Sequence, residues 1–234
     1  MNKTCWAGLT ITLLLLTACE FDNTVTGPVK DQTISLDLNN AQRASVEFDM
    51  NAGEMTVRGG GSKLLLGHIE YNVPQWQPQV TDNNDGQTAN VVIRQPSTGH
   101  AGGNHRNRWD LELSNNILLD LKLRCGAGRA RLELGDLALN DVSVQMGAGQ
   151  VDIDLSGHPT RSYSVNVAGG VGQATIRLPH GVGIRAQAHG GLGSINVEGL
   201  TKHGDYYSND LYGNSKVNVL VQVEGGIGEI KLVG

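Results

Sequence analysis

Asp152 and Asp154 stand two residues apart in Val151-Asp152-Ile153-Asp154. On an extended strand their carboxylates share one face, about 7 Å apart. Paired carboxylates at that separation suit glycoside hydrolysis, and Glu133 and Arg177 fall in the same column of the repeat described below. A catalytic acid needs burial to raise its pKa, and nothing apolar surrounds these positions, so the sequence favours a solvated face with ion pairs between neighbouring strands. His158 and His180 occupy nearly equivalent places in two repeats and could meet as metal ligands, although Pro159 and Pro179 beside them suit ordinary exposed turns. Cys125 faces inward by alternation, where a thiol behaves as a small hydrophobe rather than a nucleophile. Three Gly-Gly-x-Gly segments begin at Gly169, Gly190 and Gly225. Calcium-binding nonapeptide repeats carry aspartate at the sixth position; here that position holds Ala174, Ile195 and Ile230, which excludes such calcium sites. No convincing crossover helix follows a Gly-x-Gly, so a dinucleotide site is equally disfavoured.

Two further groups bear on binding. Tyr206, Tyr207 and Tyr212 lie in residues 201–216 among Asp205, Asn209 and Asp210. They could stack on sugar rings or meet a protein partner, or pack over an open end of the fold. His100, His105, Arg106 and Arg108 sit in a glycine-rich stretch expected to be a flexible, mildly basic loop that could meet anionic envelope polymer. The net charge of -5 over 234 residues argues against nucleic acid as a partner.

What positions these residues is a repeat. Gly126-Ala127-Gly128, Gly147-Ala148-Gly149, Gly170-Val171-Gly172, Gly191-Leu192-Gly193 and Gly226-Ile227-Gly228 recur at spacings of 21, 23, 21 and 35, and Asn51-Ala52-Gly53 is a weaker first copy. Counting from the first residue of each triplet, the positions five and three before it and four and six after it are apolar in every copy. The period is two on both sides, so each copy reads as a strand, a glycine corner and a second strand. A rung of about 21 residues cannot bury its apolar face alone, and successive rungs must stack. The fold class is therefore all-β, a ladder-like β-solenoid of about six stacked rungs. Buried aliphatic columns can hold such a domain with only 4% aromatic residues. Outward columns pair Arg131 with Asp152 and Asp154 with Arg177 across rungs. Residues 60–116 and 201–216 interrupt the repeat as insertions, with strands expected at 63–71 and 89–94 and a turn at Asn84-Asp85-Gly86. The ladder is expected over residues 33–234, with residues 32–38 near one end and the final copy, residues 217–233, forming the other. Open ends could pair edge to edge and give a homodimer.

The N-terminus reads as a targeting segment. Lys3 precedes an apolar run, Ile11 to Leu16, too short to span a bilayer. Leu16-Thr17-Ala18-Cys19 resembles the lipobox of bacterial lipoproteins. That likeness implies a signal peptide over residues 1–18, lipid on Cys19 and attachment to a membrane. Polar residues 19–32 then form a flexible tether. Cys5 would leave with the signal and Cys19 would carry lipid, leaving Cys125 without a disulfide partner.

Within the ladder, Asn107-Arg108-Trp109-Asp110-Leu111-Glu112-Leu113, Leu119-Asp120-Leu121-Lys122-Leu123-Arg124-Cys125-Gly126-Ala127-Gly128 and Met146-Gly147-Ala148-Gly149-Gln150-Val151-Asp152-Ile153-Asp154-Leu155 resemble the bacterial toast-rack family, which groups with adhesin-head-like and LiaF-like cell-wall-antibiotic-response domains. The weak first copy, Cys125 and the insertion after Leu200 depart from its pattern. The resemblance implies an extracytoplasmic or membrane-attached β-ladder of the bacterial cell envelope, engaged in adhesion or envelope-stress roles, with no catalytic residues and no cofactor. The expected function is non-enzymatic presentation of a binding surface to an envelope protein or polysaccharide. Partnership with an envelope-stress sensor and polysaccharide processing are the alternatives.

Overall fold

The computed structural model describes residues 26–96 and 104–234. The expected signal peptide with Cys5, the expected lipidation site Cys19, and His100 lie outside the described residues. Those described form β1 (Lys30–Leu36), β2 (Arg43–Gly61), β3 (Leu65–Tyr71), β4 (Gln79–Asn84), β5 (Thr88–Arg94), β6 (Asn107–Ser114), β7 (Leu118–Glu133), β8 (Leu139–Asp154), β9 (Tyr163–Arg177), β10 (Gly183–Glu198), β11 (Thr201–His203), β12 (Tyr206–Ser208) and β13 (Asn218–Val233). The first strand starts at Lys30, so residues 30–32 belong to the sheet rather than to a tether. No helix among the described residues is long and apolar enough to cross a membrane.

Six long strands, β2, β7, β8, β9, β13 and β10, are the rungs of an all-β ladder, paired in parallel in that order. Each carries its glycine triplet in the middle, dividing it into a first arm and a second arm. The arms form two layers that meet over one core. Val46, Phe48, Leu121, Leu123, Val142 and Val144 are buried from the first arms, and Met55, Val57, Leu132, Val151, Ile153 and Leu232 from the second. These are the alternating apolar columns of the sequence, and the predicted pairs Arg131 with Asp152 and Asp154 with Arg177 are neighbours in register.

The glycines are there because rungs touch backbone to backbone at the corner. A Cβ on Gly126 would strike the carbonyl of Asn51, one on Gly147 that of Gly126, one on Gly170 that of Gly147, one on Gly226 that of Gly170, and one on Gly191 that of Gly226. The column begins at Asn51 because, among the described residues, β5 and β6 pair separately with the two arms of β2 and no glycine corner stacks outside it, which accounts for the weak first copy. The amides of Asn51 and Ala52 instead donate to the side-chain oxygen of Gln95, at 3.0 and 3.4 Å. Gln95 also accepts from the Asn107 amide, which donates to the Ala52 carbonyl at 2.6 Å. A buried side-chain network thus stands in for the missing rung.

The final repeat does not close the ladder, because β13 inserts between β9 and β10. The wider spacing of 35 residues between the last two triplets allows it. After β10 the chain makes the short hairpin β11–β12 on the outer edge of β10, then returns across that strand to pair with β9. Packing suits this order. β13 fills the core with Val219, Val221 and Val223, whereas β10 offers Ala186 and Ala188 at two of the matching positions.

The insertions build the margins of the layers. β5 and β4 extend the first-arm layer beyond β2, and β6, β3 and β1 extend the second-arm layer on the same side. At the far side β12 and β11 extend the first-arm layer. The predicted turn at Asn84-Asp85-Gly86 joins β4 to β5, with the Asp85 carboxylate accepting from the amides of Gln87 and Thr88 at 2.9 and 2.7 Å.

Candidate functional site

The three predicted tyrosines gather at the β10 end of the first-arm layer. β12 pairs with only Arg185 and Ala186 of β10. Tyr207, in register with Ala186, is half-buried and packs against the core, with the Lys202 ammonium 5.7 Å from its ring centre. Tyr206 carries the Arg185 guanidinium 4.4 Å from its ring centre and stacks with His203 at 5.5 Å. Tyr212 lies beyond, lining a shallow hollow with Ser162, Tyr163, Asn218 and Leu220. The segment is clamped by Asn209, named above only as a neighbour of the tyrosines, and by Asn218. Asn209 accepts from the Ile184 amide and donates to the Val182 carbonyl, at 2.9 and 2.8 Å, and Asn218 accepts from the Gly213 amide at 3.2 Å. Their signal was the run of Asn and Asp through this insertion, the residue types that bond to backbone in turns.

A second feature lies under the corners of β9, β13 and β10. The inward residue before the triplet is Met50, Cys125 and Met146 in β2, β7 and β8, but Gly169, Gly225 and Gly190 in the other three rungs. The missing side chains leave an apolar cleft of about 80 Å³, bounded chiefly by backbone and by Val167, Ala174, Val223, Ile195 and Ile230. At the same corners the middle residue of the triplet runs Ala52, Ala127, Ala148, Val171, Ile227, Leu192 across the ladder, and the last three also line the cleft. The last three are 54%, 53% and 71% exposed, an apolar ridge that grows toward β10.

The other candidates are held by structural partners. Asp152 accepts from Gln150 at 2.9 Å, and Asp154 accepts from the amide and hydroxyl of Ser156. Burial pushes the Asp154 carboxyl upward, but the Ser156 hydrogen bonds, with Arg177 and Arg131 nearby, hold it below the usual carboxylate range. A catalytic acid needs the opposite shift. Because the folded value is depressed, Asp154 stabilises the fold above the unfolded value near pH 4 and loses this as pH falls through the folded value. Asp154→Asn is expected to cost at most about 1 kcal/mol at pH 7, with its thermal melting curve converging on wild type as pH falls below the folded value.

Burial pushes the Cys125 thiol up to about 11. Only about one native molecule in 1,000 would then hold a thiolate at pH 8, so alkylation by iodoacetamide is expected to be at least about 100-fold slower in the native protein than in urea. Equal rates would place the thiol in an open, reactive setting.

His158 and His180 are exposed in separate loops. Arg106 and Arg108 are not the free charges of a basic loop: Arg106 pairs with Glu70, and Arg108, in β6, donates to Glu54 at 2.6 Å. The Arg108 hydrogen bond draws the Glu54 carboxyl down. His105 meets the Trp76 ring edge-on at 5.4 Å. Among the described residues, Asp31, His68 and Glu70 form one group of ligand type, but Glu70 already binds Arg106 and His68 lies 3.4 Å from Asp31.

Stacked rungs, glycine corners and layer margins built by insertions define a β-ladder repeat protein. The chain belongs to the toast-rack family: residues 25–177 match the N-terminal domain of toast_rack, DUF2154. A candidate cell adhesion protein from Clostridium sporogenes is similar over 88% of this chain and 99% of its own, with 31% identity and a TM-score of 0.85. A candidate adhesin from Bacteroides fragilis aligns over 88% of this chain and 97% of its own, with 10% identity and a TM-score of 0.36. No curated protein matches the chain significantly.

Proposed function

We propose that this protein is a non-enzymatic, lipid-anchored component of the bacterial cell envelope that presents its ladder as a binding surface for adhesion. The observation that carries the reading is the likeness to the candidate cell adhesion protein along nearly the whole of both chains. Its geometry supports it. The ladder offers long, ion-paired faces, such as the cluster of Arg94, Lys122 and Arg124 around Glu47, rather than a pocket of perturbed acids and bases. The tyrosine segment is the proposed contact for polysaccharide or protein. The hollow beside Tyr212 combines an aromatic ring with Asn218, Ser162 and the exposed Leu220.

The test is binding of the purified chain to whole cells and to isolated envelope polysaccharide, with product analysis for any turnover. Binding that falls at least tenfold in Tyr212→Ala, with the melting temperature unchanged, supports the reading. Release of reducing sugar that is lost in Asp154→Asn would replace it with polysaccharide processing. Cys19→Ser is expected to release the protein from the membrane fraction; retention there would overturn the lipid anchor.

A further inference from the structure

The two layers end differently. Three margins finish in short antiparallel strands of polar or charged sequence: β1 (Lys-Asp-Gln-Thr-Ile-Ser-Leu), β4 (Gln-Val-Thr-Asp-Asn-Asn) and β11 (Thr-Lys-His). Such edges resist further pairing. The fourth is the second arm of β10, from Gly190 to Glu198. Its inner side pairs in parallel with β13, and among the described residues no strand pairs with its outer side. Glu198 is the only charged residue in this arm, which has no proline and no lysine. Ile195, whose counterpart Ile230 in the neighbouring rung is buried, is 38% exposed here, and Leu192 is the most exposed residue of the apolar ridge. The apolar cleft reaches this arm at Leu192 and Ile195. The hairpin β11–β12 covers only Arg185 and Ala186 and leaves the arm open.

We propose that this arm is an interface for a second copy of the chain, the two β10 arms pairing antiparallel about a dyad near Ile195. Two observations select a second copy. First, β12, the strand that this chain itself lays on β10, pairs antiparallel, as do the outermost strands β1, β4 and β11, while parallel additions occur only on β2 at the far side; an antiparallel pair of identical edges is self-complementary and closes as a dimer. Second, the charges fit. About that dyad Ser194 faces Asn196 and Glu198 faces Leu192, so the two Glu198 carboxylates lie roughly 20 Å apart by strand rise. Parallel in-register pairing would set them side by side. The Glu198 carboxylate is already met by Lys231 of its own chain at 3.2 Å, so pairing leaves it neutralised. Ile195 and Leu192 would lose most of their exposure.

The experiment is sedimentation velocity of the purified full chain at about 1 to 100 μM, beside Ile195→Lys and Leu192→Asp. Leu192 is exposed enough that its variant should fold even if the lysine variant does not, and circular dichroism checks both. The expected result is a dimer of twice the 24.9 kDa chain mass that falls to the monomer in the variants. A monomeric wild type throughout, a dimer unchanged in both variants, or open-ended higher species would each overturn the proposal. A monomeric wild type whose cell binding is lost in Leu192→Asp would assign the edge to a strand from another protein instead. Because mass is measured without any ligand, failure here leaves the adhesion reading standing, and failure of cell binding leaves the dimer standing.

Discussion

Gly149→Ala is expected to destabilise the domain by about 4 kcal/mol or more, at the extreme of what single substitutions do. Gly149 sits at the corner of β8 with φ of +133°, a conformation that a side chain strains. The added Cβ would also fall on the Gly128 carbonyl of the rung below, far inside the 3.0 Å that real Cβ atoms respect. Neither side can give way locally. Gly128 leans in the same manner on Gly53, and Gly172 on Gly149, so displacing one rung disturbs the whole stack. At about 2 to 4 °C per kcal/mol for a domain of this size, the melting temperature should fall by roughly 10 °C or more. Gly86→Ala is the control: its φ is +87°, but nothing lies within 4 Å of the added carbon, so its cost should stay near about 1 to 2 kcal/mol. If the two variants melted alike, backbone contact at the corner would not be what the glycines serve.

Trp109→Ala is expected to cost about 3 to 5 kcal/mol, the range for removing a large buried aromatic. Trp109 is fully buried in β6, in register with Met55 on one side and Ile69 on the other. Its indole N–H donates to the Asn107 side-chain oxygen at 2.9 Å, and Asn107 in turn holds the Ala52 carbonyl and Gln95. The loss should therefore reach the capped corner of β2. Trp109→Phe separates the two contributions, since it keeps most of the apolar volume and loses the hydrogen bond, for about 1 to 3 kcal/mol. Urea unfolding monitored by circular dichroism reads both, and a midpoint unchanged in the alanine variant would contradict the central place given to this side chain.

Much of this architecture was legible from residue types. Alternation of apolar side chains depends only on the chain's own period, so the buried columns, the two arms of each rung and the register of Arg131 with Asp152 could be read before any contact was seen. The small residue at the corner was legible for a similar reason, because only glycine tolerates backbone that close. The binding candidates were harder. The tyrosines were visible, but the asparagine clamps beside them depend on which carbonyls and amides the fold leaves unpaired. Arg106 and Arg108 read as loose charges because Glu70 and Glu54 are far away in sequence.

A stacked all-β ladder, its apolar faces and its glycine corners follow from local periodicity and from the size of one side chain. The order of the rungs does not follow from them and is settled by packing between strands. Parallel strands with matching columns can pair with either of two neighbours, and the longer connection before Asn218 leaves both within reach. Burial selects between them, placing the valine-rich β13 inside, where both its edges are paired, and the alanine-bearing β10 outside. The bare arm from Gly190 to Glu198 is the consequence of that choice.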